Sequence, residues 1–203
     1  LDAVKPQVKA ENISKILYPE DSTEVGKELR LEQQYFFASA SIHDAIRVFY
    51  PNQDKPDLTT FPDKICFQLN DTHPVIGIPE LMRILLDEYG YDWDTAWNIT
   101  TKTFNYTCHT LLPEALEVWP VALISKLLPR HMEIINKIND QFMHELEEMT
   151  DDEAKVERMR IVTAGDTPSV RMAYLASYAG EHVNGVAELH SQLLKDVTLR
   201  DFS

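Results

Sequence analysis

The chain is short of glycine, of cysteine, of basic residues and of long apolar runs, and each shortage excludes a class of protein. Six glycines in 203 residues are too few for the many tight turns of an all-β sandwich. The two cysteines, Cys66 and Cys108, show neither CxxC nor any metal-ligand spacing, so they point to a reducing cytoplasm and not to a disulfide framework. No apolar stretch approaches the ~20 residues of a membrane-spanning helix, and no signal-peptide pattern opens the chain; no membrane partner is expected. Against 33 Asp and Glu stand only 19 Lys and Arg, a formal net charge of −14. Non-specific nucleic-acid binding, which needs clustered cations, is therefore excluded as well. What remains is 44% hydrophobic and 26% charged, the balance of an ordinary soluble globular protein. The chain opens on Leu1 and closes on Leu-Arg-Asp-Phe-Ser, and it reads as a piece of something larger.

Helical periodicity dominates what is present. Leu29, Tyr35, Phe36, Ala40, Ile42 and Ile46 form one broad stripe over 28–50, and Pro51 and Pro56 break it into a polar loop. Lys64 to Leu69 reads as a buried strand closed by Asn70-Asp71. Pro79 starts a helix over 79–89 that ends at Gly90, Asp92 caps another running through Thr107, and Pro113 starts a short one. Residues 120–149 supply one or two more helices, broken at Pro129, and 151–158 form a charged helical turn. Ile161-Val162 and Val170 to Tyr178 read as strands flanking a turn at 165–168, and a last helix covers 184–195. The class is α/β, helix-rich, with too few strands for a complete doubly wound sheet.

The segment Leu69-Asn70-Asp71-Thr72-His73-Pro74 carries the most chemistry. A buried strand delivers Asn, Asp, Thr and His to its C-terminal end, where open α/β sheets place their ligand crevices. Asp71 and His73 are suited to hydrogen-bonding hydroxyl groups; equally, Asp71 caps the following turn and His73 is an ordinary loop residue. His109, between Cys108 and Thr110, is a second candidate, with a locally satisfied helix-end histidine as the plain alternative. Cys108 and His109 are adjacent and so point in different directions, which argues against a thiol–imidazole pair. His43, His131, His144, His182 and His190 show no recurrent metal-ligand spacing, and no metal is expected. GxGxxG, P-loop and GxSxG motifs are all missing. By spacing alone the chain offers a polyol-binding crevice and leaves the reaction open.

Several longer segments resemble one family, the α-glucan phosphorylases. They are residues 11–19 (Glu-Asn-Ile-Ser-Lys-Ile-Leu-Tyr-Pro), 26–31 (Gly-Lys-Glu-Leu-Arg-Leu), 68–74 (Gln-Leu-Asn-Asp-Thr-His-Pro), 109–119, 127–132 (Leu-Leu-Pro-Arg-His-Met) and 183–191 (Val-Asn-Gly-Val-Ala-Glu-Leu-His-Ser). Together they extend over about residues 10–202. The resemblance implies a partial N-terminal domain of a two-domain, GT-B-like glycosyltransferase with its active site between the domains. It implies phosphorolysis of terminal α-1,4-linked glucose to glucose 1-phosphate, with an α-1,4-glucan and inorganic phosphate as substrates, in a cytoplasmic homodimer. Pyridoxal phosphate is the implied cofactor, its Schiff-base lysine lying in a C-terminal domain absent from this chain. On the same basis residues 1–17 end a long dimer-contact helix that Pro6 disturbs early, 18–27 form a gate loop, and 64–203 form the α/β part. The implied sugar-binding residues are His109, Asp71, His73, Asp21 and Thr110, with Val186, Asn70 and Thr72 packing beside them. This sequence departs from the family at Ser22, at Thr23-Glu24 in place of an aromatic pair, at Cys108 in place of Asn, and at Val118 in place of Arg. A carbohydrate-binding module without catalysis is the alternative reading.

Overall fold

A computed structural model describes residues 5–52 and 55–202; residues 1–4 of the expected dimer-contact helix lie outside them. Helix α1 (Lys5–Lys15) leads through an irregular segment to α2 (Glu24–Phe49), the longest element. Thr23 starts α2 by accepting a hydrogen bond from the Gly26 amide on its side chain, as a β-region N-cap does. The helix therefore begins four residues before the apolar stripe becomes legible, and the expected gate loop ends at Thr23, with 24–27 already helical.

Strand β1 (Phe67–Asn70) starts later than expected, because 61–63 form a 3-10 turn capped by Lys64. Helix α3 (Gly77–Arg83) runs on as a π-helical turn over Ile84–Glu88, and Gly90, at φ 76°, ends it. Helix α4 (Trp93–Thr103) is capped as expected by Asp92, whose carboxylate accepts from the Thr95 amide at 2.8 Å. It does not reach Thr107. The chain turns directly into strand β2 (Phe104–Cys108), where Phe104, Tyr106 and Cys108 are buried and Asn105 and Thr107 face the other way. This period of two and the aromatic content favour a strand.

Strand β3 (Val118–Pro120), helices α5 (Val121–Leu127) and α6 (Pro129–Met149), and α7 (Glu153–Met159) follow, with Pro129 opening α6 as expected. Pro113 begins only a 3-10 turn. Strand β4 is confined to Ser169–Arg171, and the rest of the expected strand is helix α8 (Met172–Ala179). Its apolar run hides the period, because Met172, Ala173, Leu175, Ala176 and Ala179 are all buried. Ile161-Val162 contributes one isolated bridge, Val162 to Val170. The expected helix over 184–195 is instead strand β5 (Val183–Gly185) followed by α9 (Glu188–Leu193).

Three strands form a parallel sheet in the order β1-β2-β5, with Phe67 opposite Phe104 and Tyr106 opposite Val183. A second, antiparallel pair joins β3 to β4. One face of the parallel sheet is apolar and packs into the core through Leu69, Phe104 and Tyr106. The opposite face carries Gln68, Asn70, Asn105, Thr107 and Asn184. Helix α6 covers the core with a stripe of Ile134, Ile135, Ile138, Phe142 and Leu146, each such side chain contributing roughly 1.5–3 kcal/mol on burial.

At the junction of α2, α3 and α6, Glu80 is fully buried. It accepts from Arg83 at 2.8 and 2.9 Å, from His131 Nε2 at 2.6 Å and from Ser39 at 2.7 Å. Burial alone pushes its pKa up, but these bonds together outweigh it and hold the carboxyl at about 2. The His131 ring meets Tyr35 edge-on at 5.2 Å.

Candidate functional site

The C-terminal end of β1 builds the site. Asp71 takes a left-handed conformation, φ 70°, which Asp tolerates better than most residues, and its amide still bonds Thr107 O of β2 at 2.9 Å. Its carboxylate accepts from the Thr72 amide at 2.7 Å, the turn-capping role open to it from sequence. The kink buries Thr72 (3% exposed) and leaves His73 accessible. A cavity of about 490 Å³ opens here, and Asp21, Asp71, Thr72, His73 and Thr110 all line it. Five of the eight residues singled out from sequence thus meet in one place.

The remaining three lie elsewhere. His109 is exposed, and its Nε2 hydrogen-bonds Asn70 Oδ1 on the polar face of the sheet. Beside them a ladder crosses the three strands: Gln68 donates to Thr107 at 2.8 Å, and Thr107 donates to Asn184 at 3.1 Å. Val186 is 55% exposed and is not among the residues lining the cavity; its amide donates to His190 Nδ1 at 3.0 Å. Cys108 is buried, with its thiol on Thr110 O at 3.3 Å, so the adjacent thiol and imidazole are separately engaged. Burial, with the Cys108 sulfur beside it, pushes the Tyr106 phenol far up.

The opposite wall of the cavity went unassigned from sequence. Arg30 of α2 lies 3.6 Å from Asp21 and 3.6 Å from Glu117, and Gln34 donates to Glu117 at 3.0 Å. Trp119 Nε1 and Glu117 Oε2 are buried without a hydrogen-bond partner. Arg30 sits about two turns beyond the Thr23 cap and Glu117 just before β3; no local periodicity marks either as a cavity residue. The two cations lining the cavity, Lys27 and Arg30, are engaged by carboxylates, Lys27 with Glu24 at 3.0 Å. The cavity lining thus combines carboxylates, an imidazole and hydroxyls with two cations already paired to carboxylates. Arg30 and His73 also border a second cavity of about 470 Å³ whose floor is apolar, from Phe37, Phe67 and Phe104.

Among the described residues no cluster of His, Cys, Asp and Glu is able to hold a metal ion. Among the lysines whose exposure is described none is buried, so none of these offers within this chain the desolvated amine that a pyridoxal Schiff base uses. Among the described residues no helix is long and apolar enough to cross a membrane.

The family model for carbohydrate phosphorylase matches residues 1–203. The chain is 48% identical to a glycogen phosphorylase of Synechocystis over 201 residues, 98% of this chain and 23% of that protein. It is 47% identical to the human brain form of glycogen phosphorylase over 209 residues, 100% and 25% of the two, and 45% identical to the Pasteurella multocida glycogen phosphorylase over 202 residues, 99% and 24%. The chain spans about a quarter of the length of these curated relatives. With a match over its whole length and a helix-rich α/β fold that ends its first strand at a polar cavity, the chain belongs to the carbohydrate phosphorylase family.

Proposed function

We propose that this chain forms part of the sugar-binding side of an α-glucan phosphorylase, a two-domain glycosyltransferase of GT-B type that cleaves terminal α-1,4-linked glucose with inorganic phosphate to release glucose 1-phosphate. The observation that carries the reading is the convergence of Asp21, Asp71, Thr72, His73 and Thr110 on one cavity, in a chain whose relatives bear the name glycogen phosphorylase. His109 is assigned a contact to the sugar, including its 6-hydroxyl, from the polar face beside the cavity. Asp71 and His73 form the polar wall, and the segment carrying Asp21 covers it and excludes water, because hydrolysis competes with phosphorolysis.

Lys27 and Arg30 are already neutralised by carboxylates, so the groups that bind phosphate are assigned to other parts of the protein. Pyridoxal phosphate is assigned there too, since the lysines described here do not suit it. This chain binds, orients and shields; alone it is inactive. The whole protein is placed in the cytoplasm as a homodimer, with α1 contributing to the dimer contact.

The test is direct. The intact protein, incubated with glycogen or maltooligosaccharide and inorganic phosphate, is expected to release glucose 1-phosphate. Glucan binding without any product favours the carbohydrate-binding module.

A further inference from the structure

The three parallel strands share one carboxyl edge. Asp71 follows β1, His109 follows β2 and Val186 follows β5, and the register sets Asn70 beside Thr107 and Cys108 beside Gly185. Open parallel sheets present their ligand sites along this edge. Bonds already described fix the first two residues, the Asp71 amide on Thr107 O and the His109 ring on Asn70. The third is fixed by α9. The amides of Gly185 and Val186 are taken by consecutive side chains of that helix, Gly185 N–H by Ser191 Oγ and Val186 N–H by His190 Nδ1, both at 3.0 Å. The Ser191 amide returns to Ala187 O at 2.8 Å. Asn184 ties the turn to the sheet, accepting from Thr107 at 3.1 Å and donating to Gly185 O at 2.7 Å.

These bonds define the state of the His190 ring. A backbone amide only donates, so Nδ1 supplies the lone pair and the neutral imidazole keeps its proton on Nε2. Nε2 is buried and, among the described residues, has no hydrogen-bond partner. A buried donor left unpaired is unfavourable, so packing alone does not account for a histidine here; the bond to the Val186 amide does. The ring also lies close over Gly185, where a Cβ would stand 3.0 Å from His190 Cγ.

We propose that His190 and Ser191 are positioning residues whose side chains hold the turn 184–187, so that Val186, 55% exposed, is set beside the terminal sugar in line with His109 and Asp71. Both act through the backbone of the turn. The inference rests on the reading of this edge as a sugar site, but the hold on the turn is measurable without substrate.

Hydrogen–deuterium exchange resolved to single amides, on the unliganded intact protein, reads that hold. His190→Asn keeps an acceptor oxygen as many bonds from Cβ as Nδ1, whereas His190→Gln carries its amide one bond further, to the place of Nε2. His190→Gln is expected to accelerate exchange at the Val186 amide about tenfold or more, and His190→Asn to leave it within about threefold of wild type. Ser191→Ala is expected to accelerate the Gly185 amide in the same way. The Asp71 and Tyr106 amides, bonded to Thr107 O and His182 O, stay protected in each variant and report the fold. Unchanged exchange in His190→Gln, or equal acceleration in the Gln and Asn variants, overturns the proposal. Should His190→Gln unfold the protein throughout, Ser191→Ala decides: acceleration confined to residues 185 and 186 supports the hold, and none overturns it. In phosphorolysis of maltooligosaccharide, His190→Gln is expected to lower kcat about tenfold with KM changed by less than about twofold, and His190→Asn to recover most of the loss. Accelerated exchange with unchanged kcat, or equal losses of kcat in the two variants, overturns the positioning role. A wild-type protein that yields no glucose 1-phosphate refutes the functional reading and leaves the exchange comparison to decide the hold.

Discussion

Single side chains in this chain owe their roles to the hydrogen bonds that hold them. Glu80 shows this most sharply, because its burial is unfavourable to charge and only the combined donors of Arg83, His131 and Ser39 keep it ionised. Removing the charge while keeping the shape, in Glu80→Gln, leaves one acceptor oxygen for donors that now share two, and turns the other position into an NH2 that faces donors. It is expected to destabilise the protein by about 3–5 kcal/mol at neutral pH, read as a lowered denaturation midpoint. The pH dependence has a definite sign. The folded carboxyl sits at about 2 against an ordinary value of 4.5, so its stabilisation is complete above about 4.5 and is lost as pH falls from there toward 2. On the order of 3 kcal/mol is at stake. The wild type is therefore expected to lose stability across that window more steeply than Glu80→Gln; parallel curves contradict the assignment. For function, His109→Ala is expected to lower kcat/KM of the intact enzyme by about 1–3 kcal/mol of transition-state binding. Unchanged kinetics return His109 to a structural role through Asn70.

Elements were legible in the sequence where one residue marks a boundary and obscure where two periods meet. Asp92 and Pro129 announce helix starts by capping chemistry and by a missing N–H, and both stand where expected. The join of α4 to β2 passes unseen, because Thr103 bonds back to Ile99 O inside the helix and the next residue is already strand, with no Gly or Pro between them. The site divides in the same way. Asp71, Thr72 and His73 are contiguous and announce themselves, whereas Arg30 and Glu117 are brought to the same cavity only by the packing of distant segments. Gly185 illustrates a boundary whose reason is tertiary. A Cβ there would lie 2.8 Å from the Ser191 amide and 2.9 Å from the His190 carbonyl carbon, so β5 and α9 touch at this glycine. Gly185→Ala is expected to cost about 1–3 kcal/mol and to lower the urea midpoint; an unshifted midpoint contradicts the contact.

At the scale of the whole molecule, the fold is a helix-rich body around a small parallel sheet with two unlike faces. The apolar face joins the core, while the other face keeps a row of amides and hydroxyls beside the cavity. Parallel sheets are ordinarily covered on both sides, and here the second side carries Gln68, Asn70, Asn105, Thr107 and Asn184. The carboxylates pair widely: with Arg30 and Lys27 at the cavity, with Arg83 and Arg130 around α3 and α6, and with Arg158 and Arg160 toward the end of the chain. The excess of 14 negative charges is left to repel itself across the surface. Salt therefore acts on this molecule in the opposite sense to one held together by surface ion pairs. It screens a net repulsion whose range is about 10 Å at 0.1 M, and the thermal midpoint of the 203-residue chain is expected to rise, not fall, as sodium chloride is increased from about 0.05 to about 0.5 M. A falling midpoint assigns the larger share to the ion pairs. For an acidic chain that seats its cations against its own carboxylates, ionic strength is a stabiliser.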